Sequence, residues 1–193
     1  MDENHVRIVQ VADELFNTRG YRHVTISDLA DRLGMSKKTV YVYFESKEDI
    51  AAAVVDRTMQ RIVGAIEQVR ADANPLATLR EILEAIKEEV VHLRPIFLED
   101  IQKVLPDLWD AIVAFRAEKI VLLLGRFIEE AQQEGLAKPL NPRLTSLIFI
   151  EAVQALIEPN SLSQHGFSVE DIVDTLIELF LSGIALPESD HPR

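Results

Sequence analysis

Lys37, Lys38, Thr39, Tyr41, Tyr43 and Lys47 lie close together in the sequence. Their chemistry is that of non-covalent binding. A lysine ammonium can donate to a phosphate oxygen or to the acceptor edge of guanine. A tyrosine hydroxyl can donate to phosphate, and a threonine methyl can pack on the methyl of thymine. Nothing comparable suggests a reaction. The five histidines, at 5, 23, 92, 165 and 191, show no metal-ligand spacing, and there is no HExxH. Neither a glycine-rich phosphate loop nor a G-x-S-x-G elbow occurs. Cysteine is absent, so disulfides and thiolate metal sites are excluded. No metal and no cofactor are expected, and the chain does not read as an enzyme.

Two short helices and a tight turn must position these side chains. The stretch from Thr25 to Lys47 is TISDLADRLGMSKKTVYVYFESK. The Thr25 hydroxyl can accept from an orphan N–H of the first turn, and Asp28 stands three residues on, as in a capping box. Ile26, Leu29, Ala30 and Leu33 give an apolar face at helical spacing. Gly34 supplies the left-handed residue at which helices stop. Ser36 is placed to cap a second helix, Lys37 to Tyr43, and Ser46 with Asp49 to cap a third. Helix, turn with glycine, helix is the helix-turn-helix pattern. In the second helix only Val40 and Phe44 share an inward face. Two lysines in its first turn oppose the helix dipole, at a cost of about 0.3 kcal/mol or more. A bound polyanion would account for them.

Charge distribution agrees. The chain carries 20 Lys and Arg against 32 Asp and Glu, a net of −12. Between Arg19 and Lys47 the balance reverses to +3, leaving −15 for the remainder. A basic patch on an acidic body would be drawn to DNA by one face only.

The same stretch resembles the DNA-binding motif of the TetR/AcrR family of bacterial transcription regulators. The resemblance rests on Thr25, Ile26, Leu29-Ala30, Gly34-Met35-Ser36, Val40-Tyr41, Tyr43-Phe44, Lys47 and Ile50, with Met35 and Ile50 in place of the usual valine and leucine. It implies a cytoplasmic, ligand-responsive regulator of transcription, most often a repressor. Thr25, Ser36, Lys37, Lys38, Thr39, Tyr41, Tyr43 and Lys47 would then meet a double-stranded operator, with Lys37 to Thr39 toward the bases.

The rest of the chain reads as helices throughout. Residues 2–19 form an amphipathic helix with Ile8, Ala12, Leu15 and Phe16 inward. The third capped helix runs on to about residue 69. Further helices are expected at 75–93, 96–105, 107–134, 142–158 and 168–185, bounded by Asn-Pro, Arg-Pro and Gly signals. The helix at 107–134 is apolar over so wide an arc that burial on most sides is expected. Asn141-Pro142 opens the next, Pro159 to Phe167 is a polar loop, and no transmembrane span fits.

The fold class is therefore all-α. A three-helix helix-turn-helix domain over 1–46 would precede a six-helix effector-binding and dimerisation domain over 47–187, with 47–70 as the linking helix and 188–193 as a disordered tail. Polar and aromatic residues set in apolar helices mark a pocket for a small hydrophobic effector: His92, Phe97, Gln102, Trp109, Phe115, Arg116, Phe149 and Gln154. The last two long helices would form a homodimer interface through stripes at Leu144, Leu147, Ile148, Ala152, Ala155 and Leu156, and at Val169, Ile172, Val173, Leu176, Ile177, Phe180 and Leu181, widened by Leu179 and Ile184. The alternative is an all-helical protein–protein adaptor that keeps the fold without specific DNA binding.

Overall fold

The computed structural model describes residues 2–70, 72–91, 94–157 and 166–187. Among them the secondary structure is helical, apart from an isolated antiparallel bridge between Ala137 and Ala185. No helix among them is long and apolar enough to cross a membrane. Most of the expected loop at 159–167 and the tail at 188–193 lie outside the described residues.

The helices are α1 (Glu3–Arg19), α2 (Ile26–Leu33), α3 (Lys37–Tyr43), α4 (Lys47–Gln68), α5 (Pro75–Val90), α6 (Pro95–Val104), α7 (Pro106–Phe115), α8 (Leu122–Gln133), α9 (Pro142–Leu156) and α10 (Val169–Ile184). A π-helical turn, Arg116–Val121, joins α7 to α8 without a break. The single long helix expected over 107–134 is thus continuous, with a change of pitch inside it. An extra residue in the turn rotates everything after it around the axis. The apolar arc does not all go inward: Val113, before the turn, and Leu122, after it, are exposed, while Ile120, Val121, Leu124, Phe127 and Ile128 are buried.

The chain divides into two compact units. The first comprises Met1–Arg61 and His92–Ile112, the second Ile62–Val91 and Val113–Arg193. The boundary drawn at 46/47 from the sequence falls inside the first unit, and α6 belongs to that unit as well. Sequence order could not show this, because α6 reaches its place only after the excursion through α5.

In the first unit the inward stripe of α1 — Ile8, Ala12, Leu15 and Phe16, with Val9 beside it — meets Leu29, Leu33, Val40, Phe44, Ile50 and Val54 in one core. Phe97 of α6, with none of its surface exposed, completes it and stacks on Phe16 at 5.4 Å between ring centroids. Such a pair adds roughly 0.5–1.5 kcal/mol beyond its buried area.

Two hydrogen bonds and one close approach tie α6 to the rest of this unit. The Asp100 carboxylate accepts the Arg22 N–H at 2.9 Å, and Asn17 Oδ1 accepts the Arg94 N–H at 2.8 Å. Gly20, at φ +82°, ends α1 against the same carboxylate; a Cβ there would lie 2.8 Å from Asp100 Oδ2. Glycine is required at this position both for its backbone conformation and for the close approach.

The second unit is built on α5, α8, α9 and α10. Leu79, Ile82 and Leu83 of α5 share a core with Leu124, Phe127 and Ile128 of α8, Phe149 of α9, and Val173, Ile177, Leu181 and Ile184 of α10. Asn74 and Asn141 cap α5 and α9 ahead of their prolines, and Ser168 with Asp171 closes a capping box on α10. At the surface, Lys87 bridges Glu84 at 2.6 Å and Asp174 at 2.8 Å, and Arg80 makes a two-pronged pair with Glu178.

The stripes expected to form a dimer interface separate by exposure, with Ala152, Val169, Leu176 and Phe180 part-buried. Ile172, Val173, Ile177, Leu181 and Ile184 are core of the second unit, because their face of α10 is turned to α5 and α9. Leu144, Leu147, Ile148, Ala155 and Leu156 of α9, and Leu179 of α10, are exposed.

Candidate DNA interface

α3 is seven residues long and is held by two caps. Ser36 Oγ accepts the Thr39 N–H at 3.0 Å, and the Phe44 N–H returns to the Val40 carbonyl. α2 ends at Gly34 in the left-handed conformation, with its N–H on the Ala30 and Asp31 carbonyls, and begins at Thr25 with the full capping box. The Asp28 carboxyl is held below its ordinary range by hydrogen bonds from the Thr25 hydroxyl and backbone N–H.

Val40 is fully buried and Phe44 nearly so, and both anchor α3 to the core. The opposite side of the helix stands clear. Lys37, Lys38, Tyr41 and Val42 are all exposed, Tyr41 by 52% and Val42 by 73%. This is the surface a helix would present to a groove. Val42 was missing from the residues singled out in the sequence. Its spacing of four from Lys38 would have placed both on one outward face, but an aliphatic residue carries no charge to draw notice.

The remaining expected contacts are placed less openly. Tyr43 is half-buried, and its hydroxyl accepts from Asn4 Nδ2 at 3.0 Å, which leaves its own hydrogen available to a phosphate. Thr25 and Ser36 are exposed, but their hydroxyls are engaged at the helix caps: Thr25 Oγ1 lies 2.6 Å from Asp28 Oδ2, and Ser36 Oγ lies 2.9 Å from Thr39 Oγ1. Thr39 is half-buried beside Ser36.

Lys47 differs most from expectation. Its ammonium donates to the Tyr21 carbonyl at 3.1 Å and the Val24 carbonyl at 3.0 Å, and lies 4.0 Å above the Tyr21 ring. Desolvation there lowers its pKa, partly offset by Glu48 and Asp100. Burial also raises the Tyr21 phenol, helped by its bond to Glu48. Two of the three ammonium hydrogens thus hold the α1–α2 connector, and at most one is left for a phosphate. His5, stacked on Phe44 at 4.6 Å, adds a further link between α1 and the end of α3.

A domain model for bacterial regulatory proteins of the tetR family matches residues 8–54, which span α1 through the first turns of α4. An uncharacterized HTH-type transcriptional regulator of Bacillus subtilis, YvaF, is 24% identical over 94% of this chain and 96% of its own. Over residues 8–54 the chain carries the DNA-binding domain of the tetR family of bacterial regulatory proteins. Another relative, the fatty acid metabolism regulator protein of the same organism, is 21% identical over 93% of this chain and 95% of its own. In fold, the chain superimposes on a transcriptional regulator from Saccharomonospora viridis, solved in complex with choline, with a TM-score of 0.82 at 18% identity, covering 97% of this chain and all of the other. Relatives of this family are regulators of transcription and not enzymes.

The residues expected to line an effector pocket are divided between the two units. His92 lies outside the described residues. Phe97 is core of the first unit, Gln102 is exposed, and Trp109 packs at the edge of the first unit's core. Phe115, Arg116, Phe149 and Gln154 belong to the second unit. Arg116, on the π-helical turn, donates to Gln154 Oε1 at 2.5 Å, and burial lowers its pKa despite the nearby Glu151. Phe149 packs on Phe180 at 4.6 Å.

Proposed function

We propose that this protein is a tetR-family repressor that binds a palindromic operator as a homodimer and is released by a small hydrophobic effector. The observation that carries the reading is the outward face of α3, where two lysines, a tyrosine and a valine stand exposed on the basic segment of an acidic chain. On this reading Lys37 and Lys38 meet base edges, and Tyr41 and Tyr43 hold phosphates. Lys47 and the caps Thr25 and Ser36 act mainly by fixing the frame. The exposed apolar residues of α9 with Leu179 support pairing of two copies, because each monomer leaves them in water. Two helices from each copy would form a four-helix interface and set two recognition helices about one turn of DNA, roughly 34–36 Å, apart. Within the second unit, Phe115, Arg116, Phe149 and Gln154 remain the candidates for touching an effector. The effector would favour a spacing of the two α3 helices that does not match the operator.

Selection from a random duplex pool at moderate salt tests the reading. A palindrome should emerge, and its affinity should fall steeply as salt rises. A folded protein that enriches nothing would favour the adaptor alternative.

A further inference from the structure

Among the exposed residues of α3, one is neither charged nor able to hydrogen bond. Val42 is 73% exposed, more than any other large apolar side chain among the described residues. It lies two positions from Val40, which is fully buried, and so points nearly opposite the helix anchor. Lys38, also exposed, lies one turn before it on the same face. Leaving an isopropyl group in water at this point has no use within the monomer. Val42 takes no part in the hydrophobic core of the first unit, while Val40 and Phe44 do.

We infer that Val42 is a specificity-determining residue of this regulator, reading the C5-methyl of a thymine in the major groove. This rests on the DNA-binding reading above. The chemistry follows from what the groove displays. Thymine is the one base that presents a methyl group there, and an aliphatic side chain is complementary to it and to no other base edge. Thr39, the residue whose type first suggested such a contact, is half-buried beside the Ser36 hydroxyl, and its own hydroxyl is paired there. Val42 has no polar atom that would compete. The geometry also restricts the neighbour. Side chains four apart on a helix are about 5–6 Å apart, and bases rise about 3.4 Å per step. The thymine read by Val42 and a guanine read by Lys38 therefore lie within about two base pairs of each other.

The test uses the full-length protein and the half-site recovered by selection. Each thymine of the half-site is replaced singly by deoxyuridine, which removes only the methyl. Binding is measured for the wild type and for Val42→Ala and Val42→Thr. At one thymine position the wild type should lose about fourfold in affinity, the worth of one buried methyl. Val42→Ala should show no such loss at that position, and in a fresh selection it should no longer prefer thymine there. Val42→Thr, which keeps one methyl, should fall between. Because Val42 makes no core contact, the variants should melt with the wild type, and a melt checks this. The inference is overturned if Val42→Ala weakens all sequences alike, since that is a backbone contact. It is equally overturned if deoxyuridine costs wild type and variant the same, or if the half-site holds no thymine near the position that Lys38 reads. A selection that enriches nothing defeats the DNA-binding reading itself, and so is distinguishable from these results.

Discussion

Side chains on one short helix divide by what they could do to DNA binding. Lys38→Ala should change which base is preferred at one position, because Lys38 is exposed on the outward face. Tyr43→Phe should weaken binding to all sequences alike, since it deletes a hydroxyl that can donate to phosphate and that accepts from Asn4. Competition assays on a selected and a scrambled duplex separate the two; a uniform loss for Lys38→Ala would remove its base-reading role. Lys47→Ala should behave differently again. It leaves the Tyr21 and Val24 carbonyls without their donor and should cost about 1–3 kcal/mol of stability in urea unfolding, with DNA binding falling in step. The sequence showed where these residues lie and what their functional groups are. It did not show which of them were already occupied. Lys47 resembles a phosphate ligand by position, and only the fold reveals the two carbonyls it holds. Val42 was passed over for the converse reason, since exposure is a property of the packed helix and not of the residue type.

Helices and their caps were the most legible layer. Thr25-Asp28, Ser36, Asn74-Pro75, Asn141-Pro142 and Ser168-Asp171 all cap as the spacing suggests, because a cap is a local contest for a few orphan N–H groups. What spacing could not carry was pitch: nothing in Arg116–Val121 announces the π turn that redirects the residues after it. The two capping boxes give a pH expectation. Asp28 and Asp171 both have carboxyls lowered below their ordinary range, chiefly by hydrogen bonds from Thr25 and Ser168. A lowered carboxyl adds stability that is present above its unfolded value, about 3.9, and is lost as pH falls through the lower folded value. Thermal melts from pH 6 down to pH 2 should therefore show a smaller acid-induced drop for Asp28→Asn than for the wild type. Glycines allow a second comparison at this scale. Gly20→Ala meets both a positive φ and the Asp100 carboxylate, whereas Gly34→Ala meets the positive φ alone, with nothing within 4 Å. Gly34→Ala should cost about 1–2 kcal/mol, and Gly20→Ala measurably more, in the same urea series.

For the whole molecule, the division between core and uncovered surface decides how the last two helices behave. Ile148 and Leu179 are exposed, whereas Ile177 is buried. Ile148→Glu and Leu179→Glu should leave the melting temperature of a monomer unchanged, shift the protein toward half its mass in light scattering, and weaken operator binding. Ile177→Ala should instead cost about 2–5 kcal/mol through the cavity it leaves. If the glutamate variants keep the wild-type mass, pairing is through another surface. Amphipathic spacing could not separate these classes, because a helix with a wide apolar arc shows the same pattern whether its second face meets a neighbour of the same chain or of another.

The place of α6 has a consequence for how the protein comes into being. The core around Phe16 is closed by Phe97, and the connector after α1 is held by Asp100, which is 78 residues from its partner Arg22. Bringing such distant points together costs about 4 kcal/mol of chain entropy before any contact is gained. On the ribosome the helix-turn-helix segment emerges first, yet its core stays open until residues far downstream have been made. A chain that stops after α4 carries the whole motif and still presents the Phe16 face to water. The core that anchors α3 is therefore completed only after α6 has been made.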